Sequence, residues 1–205
     1  MKLYLSAAIC GVFMACITIP VSTMAGPFGL EQGLTRDQLD LGEDYKQGEF
    51  LKLKSVPSPY KDFEKYYIKT TDKSGVCSIM SQSPYNTWDP NGNKSQHVFD
   101  ELEETLDTIY GKNIKKDMRY VDPSSGLTGR SDFIKSINKK VRSHRIEWDN
   151  RGKEITNGVK KVTLIIFADS DDSSRVILFY KFMNDSDCDN YIDPIKASKA
   201  KESSL

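Results

Sequence analysis

The sequence predicts an α+β fold, an antiparallel sheet with two main helices packed on one side. Two apolar runs flank a polar Asp/Ser turn between Val159 and Asn184, which is the pattern of a β-hairpin with a longer loop. Apolar residues between Ser95 and Tyr110 recur at helical spacing, which indicates an amphipathic helix. From Ser95 onward the predicted order is two helices and then three strands, and such segregation is typical of α+β proteins.

The first half of the chain predicts shorter elements. Phe28 and Leu30 alternate like a short strand, and Thr35 is placed to cap a short helix over Arg36–Leu39. The remaining elements here are an edge strand at Phe50–Leu53 and a hairpin formed by Phe63–Thr70 and Val76–Gln82.

Two helices are predicted in the second half. The first covers Ser95–Tyr110, and Gly111 ends it. The second begins with Ser131 as its cap and carries an apolar stripe from Phe133 to Val141. Its polar side is predicted to hold Lys135, Lys139, Lys140 and Arg142, and a strand over His144–Trp148 follows.

The central hairpin is apolar on both of its faces. In the first strand Val162 and Leu164 alternate with Ile165 and Phe167, and the second strand shows the same alternation. We therefore expect the sheet to be covered on one side and partly covered on the other.

The chain begins with a pattern typical of a signal peptide. Lys2 precedes an apolar stretch from Leu3 to Ile19, and cleavage is expected after Ala25. Acylation of Cys16 as a lipoprotein and a retained membrane anchor are the alternatives. The predicted organisation is a signal peptide at residues 1–25, one exported domain at residues 26–194 and a flexible tail at residues 195–205, with no integral membrane span after cleavage.

Two of the four cysteines fall in the signal segment, which leaves Cys77 and Cys188. A pair of cysteines in an exported protein favours a disulfide. A redox pair is the alternative, but no Cys-x-x-Cys spacing is present to support it.

The segment from Phe28 to Leu39 reads FGLEQGLTRDQL and resembles the start of a group of small exported bacterial proteins of unknown function. More distantly, Gly33-Leu34-Thr35 followed by Gln38-Leu39 resembles the turn motif of the BamE (SmpA/OmlA) outer-membrane assembly lipoproteins. This resemblance implies helices packed on a three-stranded antiparallel sheet, a unit that the fold of the β-lactamase-inhibitor protein repeats in tandem. It implies a binding role and assigns no functional residues. Any division into two half-repeats rests on element order alone.

Short catalytic motifs are absent from the sequence. The two histidines, His97 and His144, lack a neighbouring nucleophile pattern, and neither H-E-x-x-H nor G-x-S-x-G occurs. The acidic string from Asp185 to Asn190 lacks the glycine and the final glutamate of a calcium loop, so we expect a solvated turn. We therefore predict no catalytic residues, no metal and no cofactor.

Charge is the most suggestive functional signal. The chain has 29 basic and 29 acidic residues, yet residues 112–145 hold ten Lys or Arg against three Asp. This surplus indicates either solvated surfaces or an electrostatic docking face for an acidic protein, an anionic lipid or an envelope polymer. The residues that we predict to contact a partner are Lys135, Lys139, Lys140, Arg142 and Arg145.

These features favour an exported, periplasmic or secreted, non-enzymatic protein-binding domain, such as an inhibitor, an immunity protein or an envelope-assembly accessory. The partner would be an envelope or secreted protein, since export and the lack of aromatic residues among the bases argue against nucleic acid. A small-ligand module, a hydrolase with a dispersed active site and an envelope component anchored through Cys16 remain open alternatives.

Overall fold

A computed structural model describes residues 26–42, 50–111, 115–117 and 120–190 of the chain. The predicted signal peptide at residues 1–25 and the predicted tail at residues 195–205 lie outside these ranges. The described helices are α1 (Asn93–Tyr110), α2 (Phe133–Asn138) and α3 (Asp185–Asp189). The described strands are β1 (Leu51–Leu53), β2 (Lys65–Thr71), β3 (Gly75–Gln82), β4 (Lys115–Asp117), β5 (Tyr120–Val121), β6 (Arg142–Ser143), β7 (Arg145–Asp149), β8 (Val159–Ala168) and β9 (Ser174–Phe182).

The described strands form a seven-stranded antiparallel sheet in the order β1-β2-β3-β9-β8-β7-β4, and β5 and β6 form a separate ribbon. The predicted hairpin β8–β9 lies in the middle of the large sheet, and the predicted hairpin β2–β3 pairs with it through β9. The α+β fold is therefore confirmed. The half-repeat division stays a prediction.

The main core lies between one face of this sheet and the helices α1 and α2, as predicted. Alternate residues of the central strands, such as Val162, Leu164 and Leu178, point to this side and are almost fully buried. Phe99 and Leu102 of α1 pack among them. The large apolar area removed from water on this face is the main stabilising term of the fold.

Polar contacts fix α1 at both of its ends. Near its start, the buried Ser95 hydroxyl lies 2.8 Å from the Ser174 hydroxyl on β9 and accepts a hydrogen bond from Asn86. Near its end, the indole Nε1 of Trp148 on β7 donates to Asp107 at 3.0 Å. The helix begins two residues before the predicted start and ends at Gly111, whose amide donates to the Asp107 carbonyl as predicted.

The predicted strand at Phe28 is wrong. Pro27–Gly29 form a 3-10 turn in which Phe28 adopts a φ of 59°. The physical reason is tertiary: in this conformation the Phe28 ring packs edge-on against Tyr66 and Tyr180, with centroids 5.0 and 5.7 Å away. The short helix predicted after Thr35 is present as a 3-10 turn over Arg36–Gln38.

The helix α2 is shorter than predicted. It ends at Asn138 because Lys140 adopts a φ of 60°, which a helix cannot accommodate. The placement of Val141 and Arg142 on this helix is therefore wrong, since Arg142 belongs to β6.

The solvated turn predicted at Asp185–Asn190 is also wrong, because Asp185–Asp189 form α3 and bury Asp185 and Cys188. Two β-bulges at the same end of the sheet provide the residues that attach α3 to it. Cys77 is the residue of β3 left without a partner on β2, and Lys160 is left without a partner between β8 and β9. Cys77 forms a disulfide with Cys188, and Lys160 donates to Asp185 at 2.8 Å. A bulge redirects a side chain relative to its strand, which is how both groups reach α3.

Candidate functional site

The five residues predicted to contact a partner do not form one surface. Lys135, Lys139 and Lys140 belong to α2 or to the residues that directly follow it, and the Lys139 ammonium lies 3.9 Å from Asp171. Arg142 packs against α2, with its guanidinium 5.0 Å from the centre of the Phe133 ring. Arg145 lies on the opposite side of the sheet.

The alternation of β7 separates Arg145 from the other four residues. Ile146 and Trp148 are fully buried under the helices, so Arg145, Glu147 and Asp149 point to the other face of the sheet. Of the further basic residues in this part of the sequence, Lys112 and Arg119 lie outside the described residues.

The face that Arg145 joins is not covered by α1 or α2, and we call it the open face. Its side chains form three rows that cross five strands. From β2 to β7 these rows are Lys65-Gln82-Ile177-Ile165-Arg145, Tyr67-Met80-Phe179-Thr163-Glu147 and Lys69-Ser78-Lys181-Lys161-Asp149.

The middle of the open face is apolar. Phe179, Met80 and Ile165 are half-buried there, and Phe50, just before β1, packs edge-on against Phe179 with centroids 6.2 Å apart. Phe50 and Phe167 remain 41% and 42% exposed. A groove of about 350 Å³ runs between Phe50, Phe179 and the charged row next to α3. Such a surface gains free energy when a partner removes it from water.

The rim of the open face is basic. Strand alternation places seven described cations on this face, whereas β7 contributes two acids and α3 two more. Lys160, which pairs with Asp185, and Glu64, which pairs with Lys65, lie at its border. The cations are Lys52, Lys65, Lys69, Arg145, Lys161, Arg175 and Lys181, and the acids are Glu147, Asp149, Asp185 and Asp189.

Ion pairs orient most of these charges. The buried Glu147 carboxylate contacts both the Arg145 guanidinium and the Lys161 ammonium, the latter at 2.8 Å. The Lys69 ammonium donates to Asp189 at 2.7 Å and lowers the pKa of that carboxyl. The ionised form of Asp189 is therefore favoured.

The Arg175 guanidinium defines the end of the open face farthest from α3. It donates to Gln82 at 2.6 Å, and it lies 4.2 Å from the Tyr85 ring centre and 5.6 Å from that of Phe167. Stacked arginine and exposed aromatic side chains are the residue types that contribute most to protein interfaces.

At the other end, α3 borders the open face and the predicted disulfide is confirmed. The Cα atoms of Cys77 and Cys188 are 6.2 Å apart, and both residues are buried. Asn184 also donates to the carbonyls of Ser74 and Val76, so the start of α3 is fixed to β3 by hydrogen bonds as well.

Sequence reasoning identified the apolar residues of this face but not its charge. The alternation of Ile165 and Phe167 with core residues predicted a second apolar face, which the structure has. The cations come from five strands and are spread over the whole sequence, so a count along the chain did not reveal them. A count of lysines at every second position of each predicted strand was the available signal.

No helix among the described residues is long and apolar enough to cross a membrane. In the same part of the chain, no three His, Cys, Asp or Glu side chains are grouped as metal ligands would be.

Comparisons with protein-family models, with curated proteins and with solved structures found no match to this chain. The resemblance to the BamE lipoproteins therefore stays a prediction, and a functional assignment has to rest on the geometry of the chain itself.

Proposed function

We propose that this chain is an exported, non-enzymatic binding protein, and that an acidic protein partner packs on its open face. The observation that supports this proposal is the combination of an apolar centre and a positively charged rim on the sheet face that α1 and α2 leave uncovered. Apolar contacts would supply affinity, and the rim would attract and orient an acidic partner.

The exposed apolar side chains at the centre of the open face form a group, as in a binding surface. Phe50, Phe167 and Phe179 come from three separate strands or loops, yet the register of the sheet brings them to one face. Single exposed apolar side chains are common, whereas contiguous groups of them mark interaction sites.

The charges of the open face argue for binding rather than acid–base catalysis. Glu147 contacts two cations, and Asp185 contacts the ammonium groups of Lys160 and Lys181 at 2.8 and 3.6 Å. Because each of these carboxylates is already engaged by two cationic side chains, it orients the charged row and does not stand as a lone acid or base beside the groove.

Site-specific photocrosslinking tests the location of the interface. A photoreactive amino acid would replace Phe50 or Phe167 in cells that produce the full chain, and Ile109 would be the matched control. Ile109 is a 57% exposed apolar residue of α1, on the helical side. We expect one acidic protein to crosslink at both test positions and not at Ile109.

Charge dependence is the second part of the test. Lys52 lies on the open face, is exposed and has no ion-pair partner among the described residues. Lys52→Glu and high salt should both reduce the crosslinked product, because both weaken the attraction of the rim for an acidic partner. Crosslinking of one copy of the chain to another, equal crosslinking at Ile109 or a yield unaffected by charge would contradict the proposal.

A further inference from the structure

A second surface lies on the helical side of the sheet. A cavity of about 550 Å³ opens between the first turns of α1, the start of α2 and the segment from β6 to His144. Arg130, Arg142, His144 and Gln96 line it, and Phe133 provides an apolar wall. Its volume is in the range of small-molecule binding sites.

Arg142 is fixed in this cavity by neutral groups. Its Nε donates to the hydroxyl of Ser136 at 2.7 Å, and that hydroxyl is itself held because it donates to the Phe133 carbonyl at 2.7 Å. Nη2 lies 3.4 Å from the Thr128 carbonyl oxygen, a long hydrogen bond. Ser136 is fully buried, so the orientation of the guanidinium is set by the core of the protein.

No acid among the described residues neutralises the positive charge of Arg142. Among the described residues, no carboxylate lies within 4.0 Å of the Arg142 or Arg130 guanidinium. Arg130 likewise contacts a neutral group, the side-chain oxygen of Asn93, at 3.2 Å. Most other half-buried cations of the chain pair with acids, as Lys69, Lys160 and Lys161 do.

We infer that this cavity binds a small organic anion through a carboxylate, phosphate or sulfate group held by Arg142. Neither Nη1 proton of Arg142 is used by the described residues, and the fork of a guanidinium matches two oxygens of such a group. Arg130 lines the same cavity and adds donors, and the Phe133 ring contacts the apolar part of the ligand. This site lies on the opposite side of the sheet from the open face and does not depend on the proposed protein partner.

Titration calorimetry of the full chain tests this inference with three probes: sodium sulfate, sodium phosphate and sodium succinate, each matched for ionic strength with chloride. Sulfate and phosphate represent tetrahedral anions, and succinate represents carboxylates. We expect saturable binding of one equivalent of at least one probe, and the preferred probe identifies the anionic group.

Arg142→Gln should weaken this binding roughly tenfold to hundredfold, the usual loss for a hydrogen bond to a charged group. Arg130→Gln is the second variant, because Arg130 is exposed and its loss does not threaten folding; it should weaken binding by a smaller factor. Lys73→Gln, an exposed lysine in the β2–β3 turn, is the matched control and should bind as the wild type does. Failure of all three probes to bind saturably, or equal weakening by Lys73→Gln, would overturn the inference, as would wild-type affinity in a folded Arg142→Gln protein.

Discussion

Removal of the Cys77–Cys188 disulfide should destabilise the protein strongly without changing its native structure. We consider the double substitution Cys77→Ala and Cys188→Ala, which removes the bond and adds no polar group to a buried site. The native contacts of α3 do not depend on the disulfide alone. Lys69 and Lys181 still contact Asp189, and Lys160 still contacts Asp185, so α3 should stay in place.

The magnitude follows from the length of the closed loop. The two cysteines are 111 residues apart, and the chain-entropy model assigns a loop of this length a stabilisation of about 5 kcal/mol at 25 °C. The disulfide restricts the conformations of the unfolded chain, so less conformational entropy is lost on folding. With a urea m-value of about 2 kcal/mol per M, the midpoint of unfolding should fall by about 2.5 M.

Urea unfolding followed by tryptophan fluorescence measures this shift. Trp148 is fully buried and reports the loss of the core, whereas Trp88 is 87% exposed and changes little. The reduced wild-type protein should unfold at the same urea concentration as the double variant. A native emission spectrum together with a midpoint shift below about 0.5 M would refute the loop-closure reasoning.

Three further substitutions test other parts of the structure. Burial raises the pKa of Tyr110 to about 12, so the unfolded chain loses this proton at a lower pH than the folded protein does. The free energy of unfolding should therefore fall between pH 10 and about 12, and Tyr110→Phe should reduce this fall in pH-dependent urea titrations. Asp185→Asn removes the charge that faces Lys160 in a largely buried contact and should cost about 1–3 kcal/mol in urea unfolding, whereas the exposed Ser186→Ala should change stability by less than about 0.5 kcal/mol. Lys140→Gly should increase the free energy of unfolding by about 1 kcal/mol and raise the unfolding temperature, because glycine adopts the φ of 60° without the strain of a Cβ atom. An unchanged or lower unfolding temperature would contradict this prediction.

Local patterns were sufficient to predict most of the regular elements, because burial imposes a period on each of them. The strands β8 and β9 and the helix α1 each bury one set of alternate or helically spaced residues, and this is visible in the sequence. Two of the errors occur at Phe28 and Lys140, which have positive φ angles. Non-glycine residues rarely adopt such angles, so little local signal marks these positions in the sequence, and tertiary packing decides.

The sites were harder to predict, because each depends on contacts between distant segments. The cavity is lined by Gln96 of α1, Arg130 before α2 and Arg142 of β6. It exists because α2 ends early and the chain turns back at Lys140. The basic composition of residues 112–145 indicated the part of the sequence that contributes Arg130 and Arg142 to this cavity. It could not indicate that Arg142 packs on Phe133 whereas Arg145 pairs with Glu147 on the opposite face of the sheet.

The two β-bulges connect the fold to the proposed interface. Each bulge leaves one residue without a partner on the neighbouring strand. These two residues, Cys77 and Lys160, attach α3 to the sheet through a disulfide and an ion pair. The helix in turn places Asp185 and Asp189 against Lys181 and thereby fixes the charged row that borders the apolar centre. The disulfide and these ion pairs together hold α3 beside the row that limits the groove, and the ion pairs keep α3 there when the disulfide is removed. The cavity at Arg142 is supported by the buried Ser136 hydroxyl and is independent of α3.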